Sequence, residues 1–197
     1  MTMTFRYTKY PVVHPIWPLH GRSDRPQPVV TITALGPKAA RAFPALVDPG
    51  ADDTVFANQT AQIIGIDLTT APSGSSFGSS IGVPVRYAEI TLRLTDGIEQ
   101  REWPARVAFA QVPLRRAVLG FAGVLQFFYS LFDGEREELE LTINANYPGK
   151  RVSSRYASRK YALQGWLAKH YLLEQQRVAA RLPENGLQGC PGGVAMQ

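Results

Sequence analysis

The sequence predicts an all-β, barrel-like domain with short helices, followed by a helical C-terminal extension. Three observations carry this expectation. Short β-prone runs recur through the first 149 residues, turn signals separate them at close intervals, and only two brief stretches there have helical character. The last 48 residues differ in composition and in charge.

Taken in order, Arg6 to Val13 reads as an edge strand, and a Pro/His/Gly-rich loop is expected to run on to about Pro28. Val29 to Leu35 (VVTITAL) is rich in β-branched residues and predicts a strand. Gly36-Pro37 turns the chain, and Ala42 to Val47 returns as a strand ending at Asp48. Asn58 is the expected N-cap of a helix over Gln59 to Ile64, which Gly65 stops. Residues 69–84 (TTAPSGSSFGSSIGVP) are small and polar without periodicity, as in a loop or the tip of a hairpin. Tyr87 to Leu94 alternates as a strand, Asp96-Gly97 marks a hairpin turn, and Trp103 to Ala110 returns. Ala117 to Gly120 is short and apolar, and Phe121 to Phe128 is expected to form a short helix. Strands Tyr129 to Phe132 and Leu139 to Ile143 flank the Asp133-Gly134 turn and close the domain.

These readings divide the chain into an N-terminal segment (1–28), a main domain (29–149) and a basic extension (150–197). Residues 1–149 hold 13 Lys/Arg and 14 Asp/Glu, whereas residues 150–197 hold 8 Lys/Arg and 2 Asp/Glu. The net charge of +5 therefore belongs to the extension and says little about the main domain. From Ser154 to Leu182 Gly165 is the one glycine and there is no proline. Trp166, Leu167, His170, Tyr171, Leu173 and Val178 share one side of a helix there. That side would pack on the domain or on a partner subunit. The basic residues Arg151, Arg155, Arg159 and Lys160 leave contact with nucleic acid or an anionic membrane as other readings.

A lone cysteine, Cys190, leaves no internal disulfide framework and agrees with a reducing compartment. No apolar h-region opens the chain, so the expected location is the cytoplasm. His14, His20 and His170 have no metal-ligand spacing with Cys or acids, and no glycine-rich phosphate loop is followed by lysine. Neither a metal nor another cofactor is expected.

The stretch Ala45 to Phe56 (ALVDPGADDTVF) holds the chemistry. An apolar strand delivers Asp48 into a turn of Pro49, Gly50 and Ala51, and two further acids follow at Asp52 and Asp53. A carboxylate at the end of a buried strand is costly to desolvate, and such sites favour chemistry. The bland reading is an Asx-turn acid that merely shapes a loop.

This stretch resembles the active-site loop of retroviral-type aspartic proteases, whose pattern is two apolar residues, Asp, Thr or Ser, Gly and Ala. The run Val118 to Gly134 (VLGFAGVLQFFYSLFDG) resembles a second element of retropepsin-like proteins, two apolar residues and a glycine that pack beneath the catalytic loop. The two elements lie in the family's order, and the resemblance spans residues 29–143. It implies a retropepsin-like acid-protease barrel and an aspartic endopeptidase. Asp48 would be the catalytic acid/base, and Gly50, Ala51, Asp52 and Asp53 would contact substrate. Phe77 and Gly78 would belong to a flap near Ser75 to Gly82 that closes over the peptide. Pro49, Leu119 and Gly120 would support the loop. One chain supplies one such loop, so the resemblance also implies a homodimer acting on peptide or protein, without metal. Two positions depart from the pattern: Pro49 replaces the usual hydroxyl residue, and Phe121 replaces a frequent arginine. The alternative is a catalytically silent dimeric domain that binds extended peptides or works through its basic tail.

Overall fold

The computed structural model describes residues 2–76 and 82–152. Among these described residues thirteen strands run in chain order: β1 (Thr2–Arg6), β2 (Thr8–Ile16), β3 (Arg22–Gln27), β4 (Val29–Leu35), β5 (Ala40–Val47), β6 (Val55–Ala57), β7 (Ser73–Ser76), β8 (Val83–Thr95), β9 (Gln100–Ala110), β10 (Ala117–Leu119), β11 (Phe128–Asp133), β12 (Glu138–Ile143) and β13 (Lys150–Arg151). One α-helix, α1 (Asn58–Ile64), follows β6, and 3-10 turns occupy Trp17–Leu19 and Leu125–Phe127. The fold is all-β, as the turn-rich sequence predicts.

The largest sheet has the order β13-β9-β6-β10-β5-β4-β8-β7, and β8 also pairs with β9. Its strands follow from alternation. On β4, Val30, Ile32 and Ala34 turn inward while Thr31 faces solvent, and on β8 Ile90, Leu92 and Leu94 do the same opposite Thr95. The β8–β9 turn forms where Asp96 Oδ1 accepts the amides of Ile98 (2.9 Å) and Glu99 (2.7 Å). A second sheet, β1-β12-β11, packs on the first through Trp103 of β9 and Phe128 of β11, whose rings meet edge-on at 5.4 Å. Met3, Leu139 and Leu141 extend the same core from the second sheet. Strand β13 adds to β9, and Arg151 and Arg101 both reach Glu99, at 2.5 and 3.2 Å.

Three expectations are corrected. The stretch before Pro28 is not a loop, because Arg22–Gln27 forms β3 and pairs with β2 in a two-stranded sheet of its own. Neither strand has a buried residue, so hydrophobic periodicity carries no trace of β3, while β2 overlaps the edge strand expected over Arg6 to Val13. The expected helix over Phe121 to Phe128 is reduced to the 3-10 turn at Leu125–Phe127, and Phe128 already begins β11. Gly123 sits at φ +89°, outside helical space, and its carbonyl accepts the Trp103 indole N–H at 2.8 Å. Helix α1 begins one residue earlier than expected. Its N-cap is Ala57, in an extended conformation without a side-chain cap, and Asn58 is already helical. Gly65 does end the helix, its amide returning to Ala61 O at 2.9 Å.

The Ser/Gly segment has an ordered base, where Ser73–Ser76 pairs antiparallel with Val83–Arg86. The expected tip residues Phe77 and Gly78 lie outside the described residues, as does the expected tail helix.

Candidate active site

Asp48 follows β5, whose Ala45 and Val47 are buried. Strand β10 lies between β5 and β6, parallel to β5 with Leu119 opposite Val47 and antiparallel to β6 with Val118 opposite Val55. The chain that leaves β5 at Asp48 and returns as β6 thus loops around the end of β10. The backbone amide of Asp48 donates to Leu119 O at 3.0 Å, which fixes where the strand stops and the loop begins. Two contacts close the turn itself: Gly50 N donates to Asp48 Oδ1 at 2.9 Å, and Ala51 N to Asp48 O at 3.2 Å. The Asx-type turn is therefore present, and the same half-buried carboxylate keeps an open side.

Beyond the turn the loop is sewn to the residues after β10. Phe121 N donates to Ala51 O and Ala122 N to Asp52 O, both at 2.8 Å, and Thr54 N donates to Ala122 O at 3.1 Å. Gly120 is enclosed by this seam. A Cβ built there would stand 2.3 Å from Asp53 O and 2.6 Å from Ala51 O, so no side chain fits. Leu119 thus meets the Asp48 loop through a backbone hydrogen bond, whereas Gly120 meets it through close packing on the Ala51 and Asp53 carbonyls.

The remaining expected residues divide. Pro49, Gly50 and the side chain of Asp52 are exposed, and Ala51 and Asp53 are half-buried. Asp53 Oδ2 accepts the Tyr87 hydroxyl at 3.0 Å, tying the loop to β8 at the base of the Ser/Gly hairpin. Burial, then the bond to Asp53, raise the Tyr87 phenol above its ordinary range, so it stays protonated and donating. Asp52 contributes its carbonyl to the seam while its side chain points to solvent. Phe121, in place of the frequent arginine, is 60% exposed beside the loop.

Two residues of the site have no counterpart in the sequence reading. Thr54 is buried, and its Oγ1 accepts the Gly120 amide at 3.2 Å. A hydroxyl residue between an acid pair and a β-prone run is the signal that would have found it, because a buried hydroxyl must be bonded. Tyr87 is the other, and nothing in its local sequence announces a partner 34 residues away.

The fold and site define an all-β protein whose half-buried aspartate is held where two neighbouring strands are parted by a third. No family model and no curated protein matches the chain. Among solved structures it is similar to a retropepsin-like aspartic protease from Rickettsia conorii, at 15% identity and a TM-score of 0.45, over 78% of this chain and 95% of that one. It is also similar to the retroviral protease-like domain of Ddi1 from Leishmania major, at 16% identity and a TM-score of 0.41, over 66% of this chain and 96% of that one.

Proposed function

We propose that this chain is a retropepsin-like aspartic endopeptidase of the cytoplasm, active as a homodimer in which two Asp48 carboxylates face one water. The observation that carries this reading is the seating of Asp48. Its backbone is locked to Leu119, one carboxylate oxygen is engaged by Gly50 N–H, and the group keeps an open side. One such carboxylate per chain suits a two-fold site. Strand β11 is an open edge of its sheet among the described residues, and exposed Phe121 adds apolar surface beside the loop.

In this mechanism the two carboxylates share one proton, since like charges this close do not both ionise. The ionised partner takes a proton from water as the water oxygen attacks the peptide carbonyl. The protonated partner donates a hydrogen bond to the carbonyl oxygen and then transfers its proton there. Collapse of the tetrahedral intermediate breaks the C–N bond, and the amine takes the proton now held by the first carboxylate. A hydroxyl of the intermediate returns its proton to the second as the carbonyl re-forms, which restores the shared proton. Asp53 and Tyr87 would hold the base of the hairpin beside the cleft, and the segment around Phe77 and Gly78 would cover the peptide.

A second reading is favoured by Pro49, which offers neither hydroxyl nor N–H to brace a partner loop. In it, the same cleft binds an extended peptide without cutting it. Purified protein assayed on a mixed peptide library from acidic to neutral pH separates the two. Turnover that disappears in Asp48→Asn, while the oligomer persists, supports the peptidase. Peptide binding without turnover, unchanged by that substitution, sinks it.

A further inference from the structure

The β2–β3 hairpin is the part of the described chain that the main core does not explain. It forms its own two-stranded sheet, laddered from Thr8 opposite Gln27 to Ile16 opposite Arg22, and neither strand has a buried residue. Its attachments to the domain are polar. Lys9 and Arg22 both pair with Glu137, Arg116 donates to Gln27 at 2.7 Å, and the Arg116 guanidinium lies 4.4 Å above the Tyr10 ring. The tip is nevertheless shaped. The 3-10 turn Trp17–Leu19 is closed by His20 N to Trp17 O at 3.1 Å, and Gly21 N returns to Ile16 O at 3.0 Å. Trp17 stands on that turn at 89% exposure, and Val13, on the irregular stretch of β2 just before it, at 91%.

A two-stranded hairpin is marginal by itself in water. One that is pinned by ion pairs and still holds out a tryptophan has the form of an anchor, since buried aromatics supply the strongest interface contacts. Its place on the fold selects the occupant. Strand β3 passes through Pro28 directly into β4, and Pro28 O accepts the amide of Val47, the residue before Asp48, at 2.9 Å. The arm therefore springs from the Asp48 end of the main sheet, the end at which Phe121 is also exposed. A second copy must stand at that end if two Asp48 carboxylates are to meet.

We infer that the β2–β3 hairpin is a clasp that seats its Val13 and Trp17 tip on the second copy of this chain. The inference rests on the two-chain site proposed above. Two-fold symmetry makes the contact reciprocal, so each dimer carries two clasps and loses two anchors per substitution.

The test compares the intact chain with Val13→Ser/Trp17→Ser, both at positions too exposed to support the core. Sedimentation equilibrium is expected to show a dimer dissociation constant raised at least tenfold, ~1.4 kcal/mol. Peptide turnover per dimer should return to the parent value once protein concentration exceeds that constant. Acrylamide quenching of Trp17, read in a Trp166→Phe background with Trp103 fully buried, should fall on dimerisation. An unchanged dissociation constant, or a Trp17 equally quenched in monomer and dimer, overturns the clasp. A chain that stays monomeric at every concentration overturns it too, and two copies joined in one polypeptide then decide the Asp48 chemistry separately. A dimer that depends on Trp17 but cuts no peptide leaves the clasp standing and removes the peptidase.

Discussion

The Asp48 loop and the β2–β3 arm both extend from the same end of the main sheet, yet they are ordered by opposite means. The loop is held from within, by amides and carbonyls that face each other across a seam with no room for a single methyl group at Gly120. The arm is held from one side, by Lys9 and Arg22 reaching Glu137 and by Arg116 reaching Gln27 and the Tyr10 ring. Enclosed backbone bonds are worth most because leaving one unmade in a buried site costs the full desolvation of the group. Exposed ion pairs are worth little and respond to salt and pH. The comparison therefore predicts a site that survives only intact beside an arm that loosens by degrees.

Gly120→Ala tests the enclosed side hardest. The new methyl would overlap two carbonyl oxygens, and backbone cannot move aside as a flexible side chain does. A loss of ~3 kcal/mol or more is expected, at the upper end of what overpacking costs. Thermal unfolding should show a large drop in Tm or no folded protein. A variant that melts like the parent would mean the seam opens freely.

Thr54→Val is the next step down. The shape is nearly kept, but the Gly120 amide loses its buried acceptor. The expected cost is ~1–3 kcal/mol, read by urea unfolding. An effect within error would place Gly120 N–H in contact with water and break the description of an enclosed seam.

The unequal legibility of the two regions has the same origin. The alternation of Val30, Ile32 and Ala34 and the Asp96-Gly97 turn are local signals, so β4 and the β8–β9 hairpin are readable from the sequence. Asp48 is readable because an acid ending an apolar strand is costly there, whereas Gly120 is reached only through the resemblance of its run to retropepsin-like proteins. Only half of the hairpin β2–β3 is readable: the edge strand expected over Arg6 to Val13 overlaps β2, whereas β3 is hidden because its order comes from a ladder and ion pairs that leave every residue solvent-accessible. The helix expected over Phe121 to Phe128 fails for a related reason. The amides of Phe121 and Ala122 go to Ala51 and Asp52, about 70 residues back in the sequence, and no local propensity competes with that seam. Tyr87 is hidden likewise, since a phenol on a strand shows its role only when Asp53 is beside it.

Tyr87→Phe probes the link between the loop and the hairpin base. It removes one hydrogen bond at a half-buried position, so ~0.5–1.5 kcal/mol of stability is expected to go. The more telling readout is local. Amide exchange over Ser73–Ser76 should quicken relative to β4, and equal exchange in both strands would show that Asp53 does not steady the hairpin.

Glu137→Gln is expected to move global stability least and the arm most. Glu137 receives both Lys9 and Arg22, and hydrogen bonds from Arg22 first and Lys9 second hold its carboxyl below the ordinary glutamate value of 4.5. The sign follows from that depression. The charged form is favoured in the folded chain, so the anchor is complete above pH 4.5 and is lost as pH falls through the lower folded value. In the parent, amide exchange over residues 8–27 should therefore rise in acid before the main sheet is affected, after correction for the intrinsic pH dependence of exchange. In Glu137→Gln the same residues should exchange a few-fold faster at neutral pH and lose that acid step, with Tm nearly unchanged. High salt should imitate the substitution in the parent and add little in the variant. An arm whose protection ignores Glu137, salt and acid alike would be held by something other than these ion pairs, and the contrast with the Asp48 loop would fail on the arm's side.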